Sequence, residues 1–348
     1  MNKFNKPHNN FLKWLLIFLL PIQFILIKTD EFKNSSLINL YTTNYSYISE
    51  FRKNIFSKFS FSVGDLIYLL IVILVVTAIY KNRLYYLNYK SRFFIDLFSV
   101  ISAVSIVFQI SWGLNYHSQS LESKLNIEEP YSDHDLEKVV SFLIYKTTKL
   151  HSELSKNDTL PITFPFNKKQ ARLLLADKKN NIVKNSIWST LLSYTGYAGY
   201  LNPFTLEAQV NKKIPMISYL TTIAHEQSHQ NGVARENESN YWAYKKTSNN
   251  KNPYIKYAGY SFALRYCMSD LFKKNPKKFK QLSKNINTGI KKNLNDINKF
   301  WDKYQNPFEP IFKRSYDSFL KLNNQKRGIS SYNEMVTLVI FDFKNDIE

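Results

Sequence analysis

Residues 221–244 read TTIAHEQSHQNGVARENESNYWAY. Within them His225, Glu226 and His229 spell H-E-x-x-H. On a helix, positions four apart share a face and lie about 6 Å apart along the axis. Two of the chain's six histidines are therefore spaced to bind one Zn²⁺. Glu226, beside the first of them, is placed to take a proton from a water activated by that metal. Met216, Ile217, Leu220, Ile223 and Ala224 precede the motif at helical spacing. Asn231-Gly232 then stops the helix, because glycine accepts the left-handed conformation.

A third zinc ligand cannot come from the same straight helix, since Glu236 would lie about 10 Å further along the axis. A reversal at Gly232 can bring the next helix back, so that Glu236 or Glu238 completes a His₂Glu site with one position left for water. Glu236 is preferred, because Asn240 follows it by four residues and can hydrogen-bond a ligand histidine from behind. Glu238 otherwise reads as a solvated carboxylate at a helix start.

Upstream, the chain is patterned for a membrane. Helices near residues 11–28, 63–80 and 93–116 are nearly continuous apolar runs, and three transmembrane helices are expected. The first contains Pro21 and is short, with Lys13 and Lys28 able to snorkel. A signal peptide is its alternative, but Lys28-Thr29-Asp30-Glu31 follows where a small-residue cleavage site belongs. Trp112 and Tyr116 are expected at the membrane interface, and Asp65 and Asp96, near span ends, are expected to reach it too. Residues 29–60, rich in Ser, Asn and Tyr, read as a loop or small lid.

The link after the second span carries Lys81, Arg83, Lys90 and Arg92, which places it on the cytoplasmic side of the plasma membrane. The N-terminus, with Lys3, Lys6 and Lys13, is then cytoplasmic too, and everything after Tyr116 is extracytoplasmic. Residues 1–116 form the membrane domain and 117–348 one soluble domain. The net charge of +20 is spread along the chain rather than gathered in a binding motif, so the expected partner is a lipid bilayer and not a nucleic acid. The single cysteine, Cys267, excludes an internal disulfide and a cysteine-based zinc site.

The soluble domain reads as mainly α. Ser132 and Asp135 have capping-box spacing for a helix to about Leu150. Helical stretches also fit 168–177, 254–272, 282–304, 311–322 and 333–343, with a basic turn at 273–280. His134 and His151 read as surface residues. Tyr194–Asn211 mixes glycine with β-formers and predicts a turn and one or two strands; Glu207 within it reads as solvated. Such a strand, just before the HExxH helix, can take an extended peptide by strand addition. Tyr332 is a candidate donor to a tetrahedral intermediate.

WGLNY at Trp112–Tyr116, PFTLEAQVN at Pro203–Asn211 and AHEQSHQNGVARENESN at Ala224–Asn240, behind a membrane-spanning N-terminal part, resemble an uncharacterised family of bacterial membrane proteins. That family is known as a domain of unknown function and similar to gluzincin peptidases. The resemblance implies a zincin-like fold and zinc dependence. The E-x-E-S-N from Glu236 is similar to the E-x-E-A-D of membrane-bound zinc peptidases, which aligns Glu236 as ligand and Asn240 as its supporting residue. Ser239 stands where those peptidases have a small apolar residue, Asn240 where they have aspartate, and the HExxH-to-glutamate spacing is shorter.

The expectation is a membrane-anchored zinc metallopeptidase. His225, His229 and Glu236 are its ligands, Glu226 is its general base, and its substrate is a peptide or protein. The alternative is a catalytically inactive membrane sensor or scaffold that retains a structural zinc.

Overall fold

The structure, a computed structural model, describes residues 10–127, 131–176 and 183–345. Lys3, Lys6 and Asp177, used above for orientation and for a helix end, lie outside the described residues. The chain is mainly helical with few strands.

Two helices are long and apolar enough to cross a membrane, Val63–Lys81 and Lys90–Ser111. Their outward side chains, Leu74 at 58 % exposure among them, form an apolar sleeve that none of the described residues covers. Phe11–Leu26 has only 16 residues, and it is long enough to span only with its continuation Asp30–Phe56, bent from it by 80°. The chain thus has two candidate spans, or up to three if that bent pair is one. Phe11–Leu26 packs on Lys90–Ser111, where Ser102 Oγ donates to Leu16 O at 2.6 Å. Nearer the start of both helices Lys13 and Asp96 form an ion pair at 2.5 Å, and Tyr86 donates to the same carboxylate.

Three readings of the membrane part change. Residues 29–60 are not a loop: Ser35 caps a helix, Ser36–Phe56, by accepting from Ile38 N. Its buried positions, Ile38, Tyr45, Ser49 and Lys53, recur at helical spacing, though two are polar and hide the pattern. This helix lies against the C-terminal part, with Arg52 donating to Pro203 O and Ser111 O and Lys53 to Asn231 Oδ1. Second, the last apolar helix stops at Ser111, and Trp112 and Tyr116 enter a 3-10 turn, Gly113–His117, inside the protein. They form a small core with Tyr45, Leu206 and Ala234 instead of an interfacial belt. Third, Asp65 is fully buried, accepting from Ile187 N at 2.7 Å and from Tyr200 OH.

A long helical core carries the rest. Asp133–Leu154 opens with the expected capping box from Ser132 and Asp135 and packs on Pro253–Lys274. Asn275 caps a further helix, Pro276–Leu282, where a basic turn was read. His151 is buried rather than exposed: its Nε2 meets Leu160 O at 2.9 Å and its Nδ1 accepts from Asn287.

The β element is one three-stranded sheet. Ala208–Val210 lies in the middle, parallel to Val183–Asn185 and antiparallel to Gly199–Leu201, with Gly199 opposite Val210. Gly199–Leu201 and Ala208–Val210 fall in the stretch expected to hold strands; Val183–Asn185 does not. Glu207 is wholly buried between the sheet and the helix Val63–Lys81, paired with Lys184. Its carboxylate also accepts from Val63 N and Gly64 N, which caps the first turn of Val63–Lys81. A sequence reading cannot see this, because the partners are more than 140 residues away.

Candidate metal centre

The HExxH helix runs Met216–Gln230, and Gly232, at φ 90°, makes the turn that follows. A side chain there would meet Tyr45 and require the left-handed region, so glycine suits the reversal on both counts. The next helix, Glu236–Ser248, starts with Glu236 in its first turn and packs back on the HExxH helix.

That reversal brings His225, His229 and Glu236 together, with one ligand atom from each lying within 4.8 Å of the others. The two Nε2 atoms are 3.0 Å apart, and Glu236 Oε2 lies 3.2 Å from one and 3.5 Å from the other. Ligands about 2.0–2.1 Å from a tetrahedral zinc are separated by roughly 3.3 Å, so this triangle fits the ion. The hydrogen-bond pattern fits as well. His225 Nδ1 donates to Asn240 Oδ1 at 2.9 Å, and His229 Nδ1 donates to Val233 O at 2.7 Å with Ser239 Oγ at 3.1 Å. Protons held at Nδ1 leave both Nε2 lone pairs turned inward. Glu236 Oε1 accepts from Tyr316 OH at 2.8 Å, whereas its buried Oε2, though near both rings, has no hydrogen-bond partner among the described residues. An orphaned carboxylate oxygen beside two inward lone pairs is a donor set for a cation.

The charges adjust accordingly. Burial lowers the proton affinity of His229, but the Glu236 carboxylate outweighs it and raises the pKa to about 9, so a cation that binds at Nε2 displaces a proton there. Burial works against ionised Glu236 too, yet the two imidazoles hold its pKa well below the usual carboxylate range. Glu226 is buried beside this group, and that burial pushes its carboxyl up to about 6 against the pull of both histidines. Its Oε2 also lacks a partner among the described residues. A Cβ on Gly199 would come within 2.7 Å of Glu226 Oε1, so the edge strand Gly199–Leu201 runs directly past this carboxylate.

Glu238 faces away, accepting from Leu121 N at 2.8 Å beside Arg235. Tyr332 joins the site, its ring stacked 6.2 Å from His225 and its hydroxyl 3.2 Å from Tyr316 OH. Burial, then the Glu236 charge, keeps both phenols protonated far above their usual range. Tyr316 was not foreseen; nothing near it in sequence marks it. Nor was Trp112, whose Nε1 donates to His229 O at 3.1 Å from the end of the last apolar helix.

Residues 41–340 match the model of a family described as protein of unknown function, DUF3810. The chain belongs to the DUF3810 family. No curated protein and no solved structure matches it. The DUF3810 match takes in most of the helix Ser36–Phe56, both candidate spans, the sheet and the whole metal-ligand cluster. It names no activity.

Proposed function

We propose that this chain is a membrane-anchored, zinc-dependent metallopeptidase with a zincin-like domain, hydrolysing peptide bonds. The observation that carries the reading is the convergence of His225, His229 and Glu236 on one point, with the buried Glu226 carboxylate beside it, its Oε2 without a partner among the described residues. Zinc held by those three side chains would polarise a peptide carbonyl and make a water molecule acidic near neutral pH. Glu226, with a pKa of about 6, is ionised at neutral pH, so it can accept a proton and pass it on to the leaving amine. Asn240 and Ser239 hold the rings in orientation, and Tyr316 holds Glu236. Tyr332, a protonated phenol stacked on His225, would donate to a developing oxyanion. Three protein ligands leave a fourth coordination position, which suits catalysis better than a closed structural site.

In this reading Phe11–Leu26 is a third span, the N-terminus and the link from Lys81 to Arg92 are cytoplasmic, and the metal domain is extracytoplasmic. Contact of Ser36–Phe56 with the C-terminal part agrees with both lying on one side of the membrane. A reporter fused after Tyr116 should be extracytoplasmic.

The central test is elemental analysis of detergent-purified protein beside a His225→Ala/His229→Ala variant. About one zinc per chain is expected in the native protein and none in the variant. Glu226→Gln should keep the zinc and abolish cleavage of a mixed peptide pool. Native protein that holds no zinc even after reloading would end the metallopeptidase reading. Zinc retained with no cleavage would favour the inactive sensor or scaffold.

A further inference from the structure

Two parts of the fold meet over the metal centre, and both carry apolar side chains that no other part of the described chain covers. One is the amphipathic helix Glu309–Leu322, whose Tyr316 reaches Glu236. Phe308, just before it, and Phe312 and Phe319 are spaced by four and seven residues and so share a face. Phe319 rests on Phe108 in the last turn of Lys90–Ser111, with ring centroids 5.7 Å apart. Further along that face Phe308 is 65 % exposed and Phe312 is also exposed. The other part is the short helix Ser189–Thr195 and the residues before it. Ile187, Leu191 and Tyr194, a helical turn apart, are all exposed there, Leu191 at 55 %. The two parts touch through Asn306 Nδ2 donating to Tyr194 O and through Tyr197 against Tyr316.

Their height relative to a membrane is set by polar ties to the apolar helices. Ile187 N donates to Asp65 in the first turn of Val63–Lys81. Gln109, in the last turn of Lys90–Ser111, donates to Asn323 Oδ1, and Lys28, just past Phe11–Leu26, donates to Lys321 O. All three ties fall at ends of apolar helices, on the side where the metal centre lies. The uncovered face of Glu309–Leu322 is also a continuation of the face already packed on the Lys90–Ser111 helix.

We propose that these two rims of the metal centre seat in the headgroup region of a phospholipid bilayer, with Phe308, Phe312, Ile187 and Leu191 buried among the upper acyl chains. The geometry is that of an interfacial amphipathic helix, whose apolar face sinks about 5–10 Å into the headgroup and acyl boundary. The proposal rests on the reading of Val63–Lys81 and Lys90–Ser111 as spans. It presents the centre to peptide chains held at the membrane surface, because Tyr316 joins the seated helix to the metal ligand Glu236.

The test uses the full chain in proteoliposomes of phosphatidylcholine and phosphatidylglycerol. In a Cys267→Ala background, single cysteines at Phe312, Leu191, Val72 and Lys251 are labelled with bimane. Val72 lies inside a candidate span, and Lys251 is exposed beyond the far end of the helix that begins at Glu236. Lipids carrying a nitroxide high on the acyl chain should quench the Phe312 and Leu191 probes several-fold more than the Lys251 probe. A nitroxide deep in the chain should quench Val72 most. If Val72 is quenched while Phe312 and Leu191 behave like Lys251, the seat does not exist, and a protein or a second copy of this chain covers the rims instead. If Val72 is not quenched either, the span reading fails and takes this proposal with it.

Discussion

Replacing Tyr316 by phenylalanine removes one hydroxyl and leaves the ring. The ring contacts with Tyr197 at 5.3 Å and Phe319 at 6.0 Å are kept, so the helix Glu309–Leu322 should stay in place. What is lost is the 2.8 Å hydrogen bond to Glu236 Oε1, donated to a carboxylate that is 3 % exposed. A hydrogen bond to a charged group contributes about 1.5–3 kcal/mol, and a buried acceptor left without a donor bears its own desolvation cost. At about 1.4 kcal/mol per tenfold, zinc affinity should fall by roughly 10–100-fold, the range seen when residues behind a metal ligand are removed. Tyr332→Phe is the internal comparison. Its hydroxyl bonds Tyr316 OH at 3.2 Å and lies near the Glu236 carboxylate without the 2.8 Å bond that Tyr316 makes, so it should cost less than Tyr316→Phe. The assay is competition with a chromophoric zinc chelator on detergent-purified protein, with far-ultraviolet circular dichroism to verify folding. Native-like affinity in folded Tyr316→Phe, or a larger loss in Tyr332→Phe, would refute the assignment of Tyr316 as the support of a metal-ligating Glu236.

Other outcomes follow from the same geometry. Gly199→Ala places a methyl group 2.7 Å from both Glu226 Oε1 and Gln209 O, and overpacking of that kind costs about 1–3 kcal/mol; peptide cleavage should drop sharply while zinc content holds, and undiminished cleavage would mean Glu226 is not the working carboxylate. Glu207→Ala strands Lys184, which is 5 % exposed, and uncaps the helix Val63–Lys81, so it should destabilise the protein by about 3–5 kcal/mol in denaturation measurements. In a double variant, Lys184→Met should recover part of that loss. His117, pushed down to about 4 by burial and by Lys33, Arg235 and Lys28, takes up its proton less readily folded than unfolded. Its contribution to stability is therefore complete above about pH 6.5 and is lost as the pH falls through 4. Melting temperature should decline over that window, and less steeply in His117→Gln.

The local features of this protein are legible in its sequence because their causes are local. Capping by Ser132 and Asp135 acts over a few residues, as do the apolar runs behind Val63–Lys81 and Lys90–Ser111. So does the four-residue spacing that sets His225 and His229 on one helix face. The reversal at Gly232 is local as well, and with it the return of a carboxylate toward the histidines could be anticipated. Which carboxylate returns is decided by tertiary packing. Leu121 N and Arg235 draw Glu238 away, while Tyr316, arriving from 80 residues further on, holds Glu236 inward. Polar residues were misjudged for the same reason. Asp65, Glu207 and His151 look solvated until partners distant in sequence bury and satisfy them. Trp112 and Tyr116 have the amphipathic rings of an interface belt, and only the fold shows a core waiting for them under His229. Periodicity and capping act through neighbours along the chain, whereas desolvation and hydrogen-bond pairing depend on whatever the fold brings into contact.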